Sequence, residues 1–183
     1  LGFIAQIDEL IYTYEKNGLS NKLKNVTDRQ NDPQLKLGDF HTSEMHLQAA
    51  DKATFANDPG AFDPNLIRDY NYDKNGNLLY DENKDILSIG YNLLNLPQTI
   101  TLKPSESTGQ SMGNVVYQYD AAGNKLSKTV TDKKNGSKTI TTTTNYINGF
   151  VYESKKQEPP NLPDDNYENK LLYLPHEEGR IRY

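Results

Sequence analysis

Apolar and polar residues alternate over much of the chain, and turn residues break the alternation at short intervals. In RDYNYDKNGNLLYD (residues 68–81), Tyr70 and Tyr72 share one face of an extended segment, because strand side chains alternate with period two. Asp73-Lys74-Asn75-Gly76 follows, with Asp at the first and Gly at the fourth position of a type I turn. A glycine there takes positive φ and forms the bulge that fits a three-residue loop to strand twist. Asn77 and the run through Leu79 return as the partner strand. The segment specifies a β-hairpin.

The same specification recurs. VVYQYDAAGNKLSK (residues 115–128) places Tyr117, Tyr119, Asp120, Gly123, Asn124 and Leu126 at the matching positions. A degenerate copy near the start has Tyr12, Tyr14, Glu15 and Gly18, with Leu19-Ser20 inserted before Asn21 and Leu23. A fourth, IGYNLLNLPQTI, keeps Tyr91 and puts Asn95 where the others have glycine. Asn is the next-best residue for a left-handed backbone, so the exchange is coherent. Tyr72 to Tyr91 is 19 residues, which reads as the undisturbed unit. The step to Tyr119 is 28, with the surplus in the polar loop PSESTGQSMGN.

Further hairpins follow in another style. Asn135-Gly136 and Asn148-Gly149 lie between β-branched runs, the pattern of type I′ turns. With the turn at 120–123 they predict a four-strand antiparallel meander over residues 115–153. The Thr-rich strand at 139–144 suits a sheet with a wet face. A last hairpin is expected in KLLYLPHEEGRIRY, turning through Pro175 to Gly179.

Two stretches break the pattern. Residues 28–66 lose the alternation and read as an insertion, irregular or partly helical. SEMHLQAADKATF fits about three helical turns, started by Ser43 and stopped before Asn57-Asp58-Pro59-Gly60. Residues 155–166, KKQEPPNLPDDN, read as a mobile, Pro-rich connector.

Composition narrows the picture. The 183 residues are 34% hydrophobic, which is sparse for a compact globule, and 13 Tyr with 5 Phe and no Trp fill part of the gap. Tyr can bury its ring while its hydroxyl stays wet, which suits a thin or one-sided core. The net charge of -5, with no Lys/Arg cluster among interleaved aromatics, argues against a nucleic-acid partner. No apolar run approaches the roughly 20 residues a membrane helix needs. LGFIAQIDELIYTY lacks the basic leader and apolar stretch of a signal peptide. Without cysteine there are no disulfides or thiolate sites, and the compartment stays open.

YNYDKNGNLLYDENKDILSIGYNLLNLPQTIT, YQYDAAGNKLSKTV and HEEGRIRY closely resemble RHS/YD-repeat proteins, the form found in large surface or secreted bacterial proteins. The resemblance covers most of the chain outside residues 28–66, and its specificity lies in the spaced series of units. It implies a long β-sheet that spirals into a hollow shell, often around a C-terminal effector, as in toxin shells. Two parts of the family pattern are missing here: the core-associated segment that can carry self-cleaving Asp residues, and the variable C-terminal toxin. No protease residue is therefore carried over. The resemblance implies a fragment whose partners are flanking repeats, with an enclosed effector or surface glycans as further partners. The implied location is extracellular or at the cell surface.

The tyrosines fit two readings: Tyr72, Tyr91 and Tyr119 filling the layer between repeats with hydroxyls on neighbouring backbone, or a stacking platform for sugars. Repetition at matched hairpin positions favours the first. Asp73, Asn75, Asn77 and Asp81 alternate as calcium ligands do. Gly76, however, sits at loop position four rather than six, and Lys84 stands at position twelve in place of Glu. Asp73 and Asp120 more simply accept hydrogen bonds from their own turns. His41, Glu44 and His46 miss the spacing of a helical zinc pair, and His176-Glu177-Glu178 reads as a solvated turn. There is no nucleophile elbow or phosphate loop, and one sequence places no two carboxylates across a cleft. No catalytic residue, metal ligand or cofactor is assigned.

The expectation is an all-β fold of stacked antiparallel hairpins in one curved or spiral YD-repeat sheet, as a single domain over residues 1–183. The expected role is non-catalytic, as shell wall or interaction scaffold. The alternative is a carbohydrate-binding module using exposed Tyr, and a glycan- or peptide-cleaving enzyme lacks a catalytic constellation.

Overall fold

The computed structural model describes residues 9–28, 40, 43, 67–104, 112–133, 138–160 and 165–183. Their secondary structure is antiparallel strand with two short 3-10 turns, so the fold is all-β, in sheets that do not close. The chain forms two compact units, Leu1–Asp85 and Ile86–Tyr183.

In the first unit, β1 (Leu10–Tyr14) and β2 (Leu23–Asp28) form a hairpin in register from Leu10↔Asp28 to Tyr14↔Leu23, with a bulge at Thr13/Tyr14. A 3-10 turn at Glu15–Gly18 precedes the inserted Leu19-Ser20, and the loop is closed by the Glu15 amide on the Lys22 carbonyl at 2.9 Å. β3 (Tyr70–Tyr72) and β4 (Leu78–Asp81) make the second hairpin, with a bulge at Asn71/Tyr72. The Asp81 side chain then accepts from the Lys84 amide and caps the 3-10 turn at Glu82–Lys84.

The interior of this unit is mostly polar. Val26 is its one buried apolar side chain among the described residues, while Asn25, Ser43, Asp69, Asp81 and Asn83 are buried beside it. Buried polar groups need partners, and hydrogen bonds across long sequence separations supply some of them. The Asp69 amide donates to the Lys24 carbonyl, and the Asp69 carbonyl accepts from Glu82, both at 2.9 Å.

The second unit is a meander of eight strands in chain order: β5 (Ile86–Tyr91), β6 (Pro97–Leu102), β7 (Gly113–Tyr119), β8 (Lys125–Asp132), β9 (Thr139–Ile147), β10 (Phe150–Glu158), β11 (Tyr167–His176) and β12 (Gly179–Arg182). Its register sorts the side chains into rows. Ile100, Val115, Val130, Thr142, Lys155 and Tyr167 lie opposite one another on one face, and Thr99, Val116, Thr129, Thr143 and Ser154 on the other. Among the described residues none of the apolar side chains here is fully buried. Cross-strand pairs such as the Thr129–Thr143 hydroxyl contact at 3.3 Å therefore carry the sheet.

The expected meander over 115–153 is present and longer, running from Gly113 to Glu158. Residues 155–158, expected to open the Pro-rich connector, are instead ladder residues. Lys155 to Glu158 pair with Thr142 to Thr139, and the ladder stops where Pro159 has no N–H to give. The Asn148-Gly149 turn has φ of +49° and +85°, as a type I′ turn requires. Asn135-Gly136 and the helix expected from SEMHLQAADKATF lie outside the described residues, apart from Ser43.

Candidate functional site

Three turns share one construction. At Asp73, the backbone amide donates to the Asn77 carbonyl at 2.9 Å, and the Gly76 amide returns to the Asp73 carbonyl at 3.2 Å. The side chain completes the loop: Oδ1 accepts from the Asn75 and Asn77 amides at 2.9 and 2.8 Å, and Oδ2 from the Asn77 side-chain amide at 2.9 Å. Asp120 repeats this with Ala122, Asn124 and the Asn124 side chain at 2.9, 2.8 and 2.8 Å. Gly76 and Gly123 take φ of +90° and +87°, closing the turn without a Cβ penalty.

The geometry explains the Asn that follows each glycine: its side-chain amide donates to the second carboxylate oxygen. This bond, the leading cause at each turn, holds the Asp73 and Asp120 carboxyls below the usual carboxylate range. Both carboxylates are thereby committed to their own turns. The calcium pattern fails further at Asp81, whose buried carboxyl is pushed up by desolvation and caps Lys84.

The fourth copy uses the same device with a different residue. Asn92 Oδ1 accepts from the Leu94 and Leu96 amides at 2.9 and 3.0 Å, and Asn95 takes the left-handed position at φ +57°. Asn92 was missed in the sequence, although an Asx residue directly after Tyr91 marks it. The degenerate first copy departs. Glu15 turns away from its loop to form an ion pair with Arg68, its second contact at 3.2 Å.

The tyrosines divide. The Tyr119 hydroxyl donates to the Pro97 carbonyl at 2.9 Å, and desolvation pushes the Tyr72 hydroxyl up. Tyr70 is half-buried, and desolvation with nearby Asp81 and Asp69 pushes its hydroxyl well above the usual range. Tyr12 and Tyr14 are exposed, as is Leu126, while Leu79 and Tyr91 are half-buried. Tyr117 and Tyr119 tilt against each other at 6.2 Å, and Lys125 Nζ lies 4.4 Å from the Tyr117 ring and 6.0 Å from the Tyr146 ring.

A buried polar cluster was not foreseen. The Asp69 carboxylate accepts from the Val26 amide at 3.1 Å and from Ser43 Oγ at 2.6 Å, and Asn25 donates its side-chain amide to the Ile67 carbonyl at 2.8 Å. Asp69 stands just before the tyrosine motif and has no repeated counterpart to flag it. Beside this cluster a cleft of about 260 Å³ is lined by Lys16, Ser20, Lys22, Asn71, Tyr72 and the Arg68–Glu15 pair.

Among the described residues no group of His, Asp and Glu is placed to hold a metal ion, and no helix is long and apolar enough to cross a membrane. His41, Glu44 and His46 lie outside the described residues. His176 is exposed at the end of β11, beside the Glu177-Glu178 turn, its Nδ1 accepting from the Glu178 amide at 3.3 Å. No family model, curated protein or solved structure matches the chain. Fold and turns together define a class, an open antiparallel β-repeat built of Asx-closed hairpins.

Proposed function

We propose that the chain is a non-catalytic structural segment of an RHS/YD-repeat surface or secreted protein, serving as shell wall or interaction scaffold outside the cell. One observation carries the reading: successive turns in the second unit stack. The Tyr119 hydroxyl reaches Pro97, directly beyond the preceding turn, and a Cβ on Gly123 would come within 3.2 Å of Leu96 in that same turn. Hairpins that lean on their predecessors behave as an array, in which each unit depends on its neighbours. Reading the native gene beyond the Tyr183 codon tests this. Further Tyr-x-Tyr-Asp-x-x-Gly-Asn units support the wall reading, and an immediate stop overturns it.

A second reading, a carbohydrate-binding module, is favoured by the Tyr117, Tyr119 and Tyr146 face with the exposed Lys125 over it. A panel of soluble glycans that leaves tyrosine fluorescence unchanged removes it.

A further inference from the structure

Independently of the wall reading, we propose that the cleft between the β1–β2 turn and β3 binds a small tetrahedral oxyanion, a phosphate or sulfate group. Residues 1–85 carry 15 carboxylate residues against 9 lysines and arginines, so a cationic cleft there runs against the local charge. Three of those nine, Lys16, Lys22 and Arg68, line this one cleft. Glu15 is the single carboxylate in the lining, and Arg68 engages both of its oxygens. Neither Lys16 nor Lys22 has a carboxylate partner among the described residues.

Lys22 is also held in place. Lys22 Nζ lies 5.4 Å over the Tyr72 ring. Ser20 Oγ accepts from the Lys22 amide at 3.1 Å and keeps its own proton to donate. The Lys16 backbone sits at φ +52°, a conformation that Asn17 or Gly18 beside it would adopt with less strain. Strain kept at a non-glycine residue lining a cleft points to use. Two ammonium groups, a hydroxyl and the Asn71 side chain together supply the donors that an oxyanion takes up.

The test is a titration of the isotope-labelled chain with inorganic phosphate, and separately with sulfate, at constant ionic strength. We expect saturable shifts of the Lys16, Ser20, Lys22 and Asn71 amides, with affinity in about the millimolar range or tighter. Lys22→Met keeps the stem over Tyr72, and Lys16→Gly relaxes the backbone. Each should weaken binding about tenfold while leaving the fold intact, and Lys125→Met should leave binding unchanged. Saturation by one anion alone identifies the group, and saturation by both defines a general oxyanion site. Shifts that never saturate, that acetate reproduces, or that persist in both cleft variants overturn the proposal.

Discussion

The hydroxyl of Tyr119 donates to the carbonyl oxygen of Pro97, 22 residues earlier, and ties one repeated turn to the turn before it. The motif tyrosine thus acts between hairpins rather than within one. Tyr119→Phe removes the hydroxyl and keeps the ring, so the expected loss is about 1 kcal/mol, the usual net value of one hydrogen bond. Urea unfolding followed by β7 amide exchange measures it, and an unchanged midpoint would show the contact to be incidental.

Asp120 closes its turn through both carboxylate oxygens. Asn at that position keeps Oδ1 as acceptor, as Asn92 does naturally, but loses the partner of the Asn124 side chain. Asp120→Ala should therefore lower the urea midpoint at neutral pH more than Asp120→Asn. The folded carboxyl is held below its unfolded value of about 3.9, so its contribution is present above that pH and lost as pH falls through the lower folded pKa. The gap between wild type and Asp120→Ala should close in that acidic window, and a gap constant with pH would contradict the assignment.

Gly113 starts β7 at φ +138°, and a Cβ there would lie 2.0 Å from the Thr131 carbonyl oxygen. Backbone cannot yield as a side chain can, so Gly113→Ala should cost about 3 kcal/mol or more. Gly90→Ala is the control: its nearest contacts, at Thr99, are 3.9 Å away. Equal midpoints for the two variants would refute the packing argument.

The Tyr167 hydroxyl donates to Glu153 at 2.6 Å, and this bond pushes it up to about 12. A raised pKa stabilises the fold below the unfolded value of about 10, and that stabilisation disappears as pH climbs through the folded value. Ultraviolet titration of the phenolates should lose one late-titrating component in Tyr167→Phe, while the raised Tyr70 hydroxyl persists in the variant.

Ser43→Ala removes a charge-assisted donor from the buried Asp69 carboxylate. The expected loss is about 2 kcal/mol, felt first in β2 because the same carboxylate holds the Val26 amide. Faster exchange at Val26 in the variant, with the second unit unaltered, is the diagnostic result.

The hairpins were legible in the sequence because their causes are local. Asp73, Gly76 and Asn148-Gly149 each meet a conformational requirement within four residues, and Tyr70 and Tyr72 alternate as strand residues must. Local chemistry also accounts for the fold class. What it could not supply was anything dependent on which residues meet across long separations. Whether Lys155 belongs to a loop or a ladder turns on the presence of Thr142 opposite it, and the Pro-rich run alone suggested the loop. Glu15 meets Arg68 from 53 residues away, and Asp69 gathers Ser43 and Val26 from 26 and 43. Such contacts leave no period and no repeat, since buried polar pairing depends on distance in space. The sequence by itself therefore determined the turns, and tertiary structure alone decided where their charges came together.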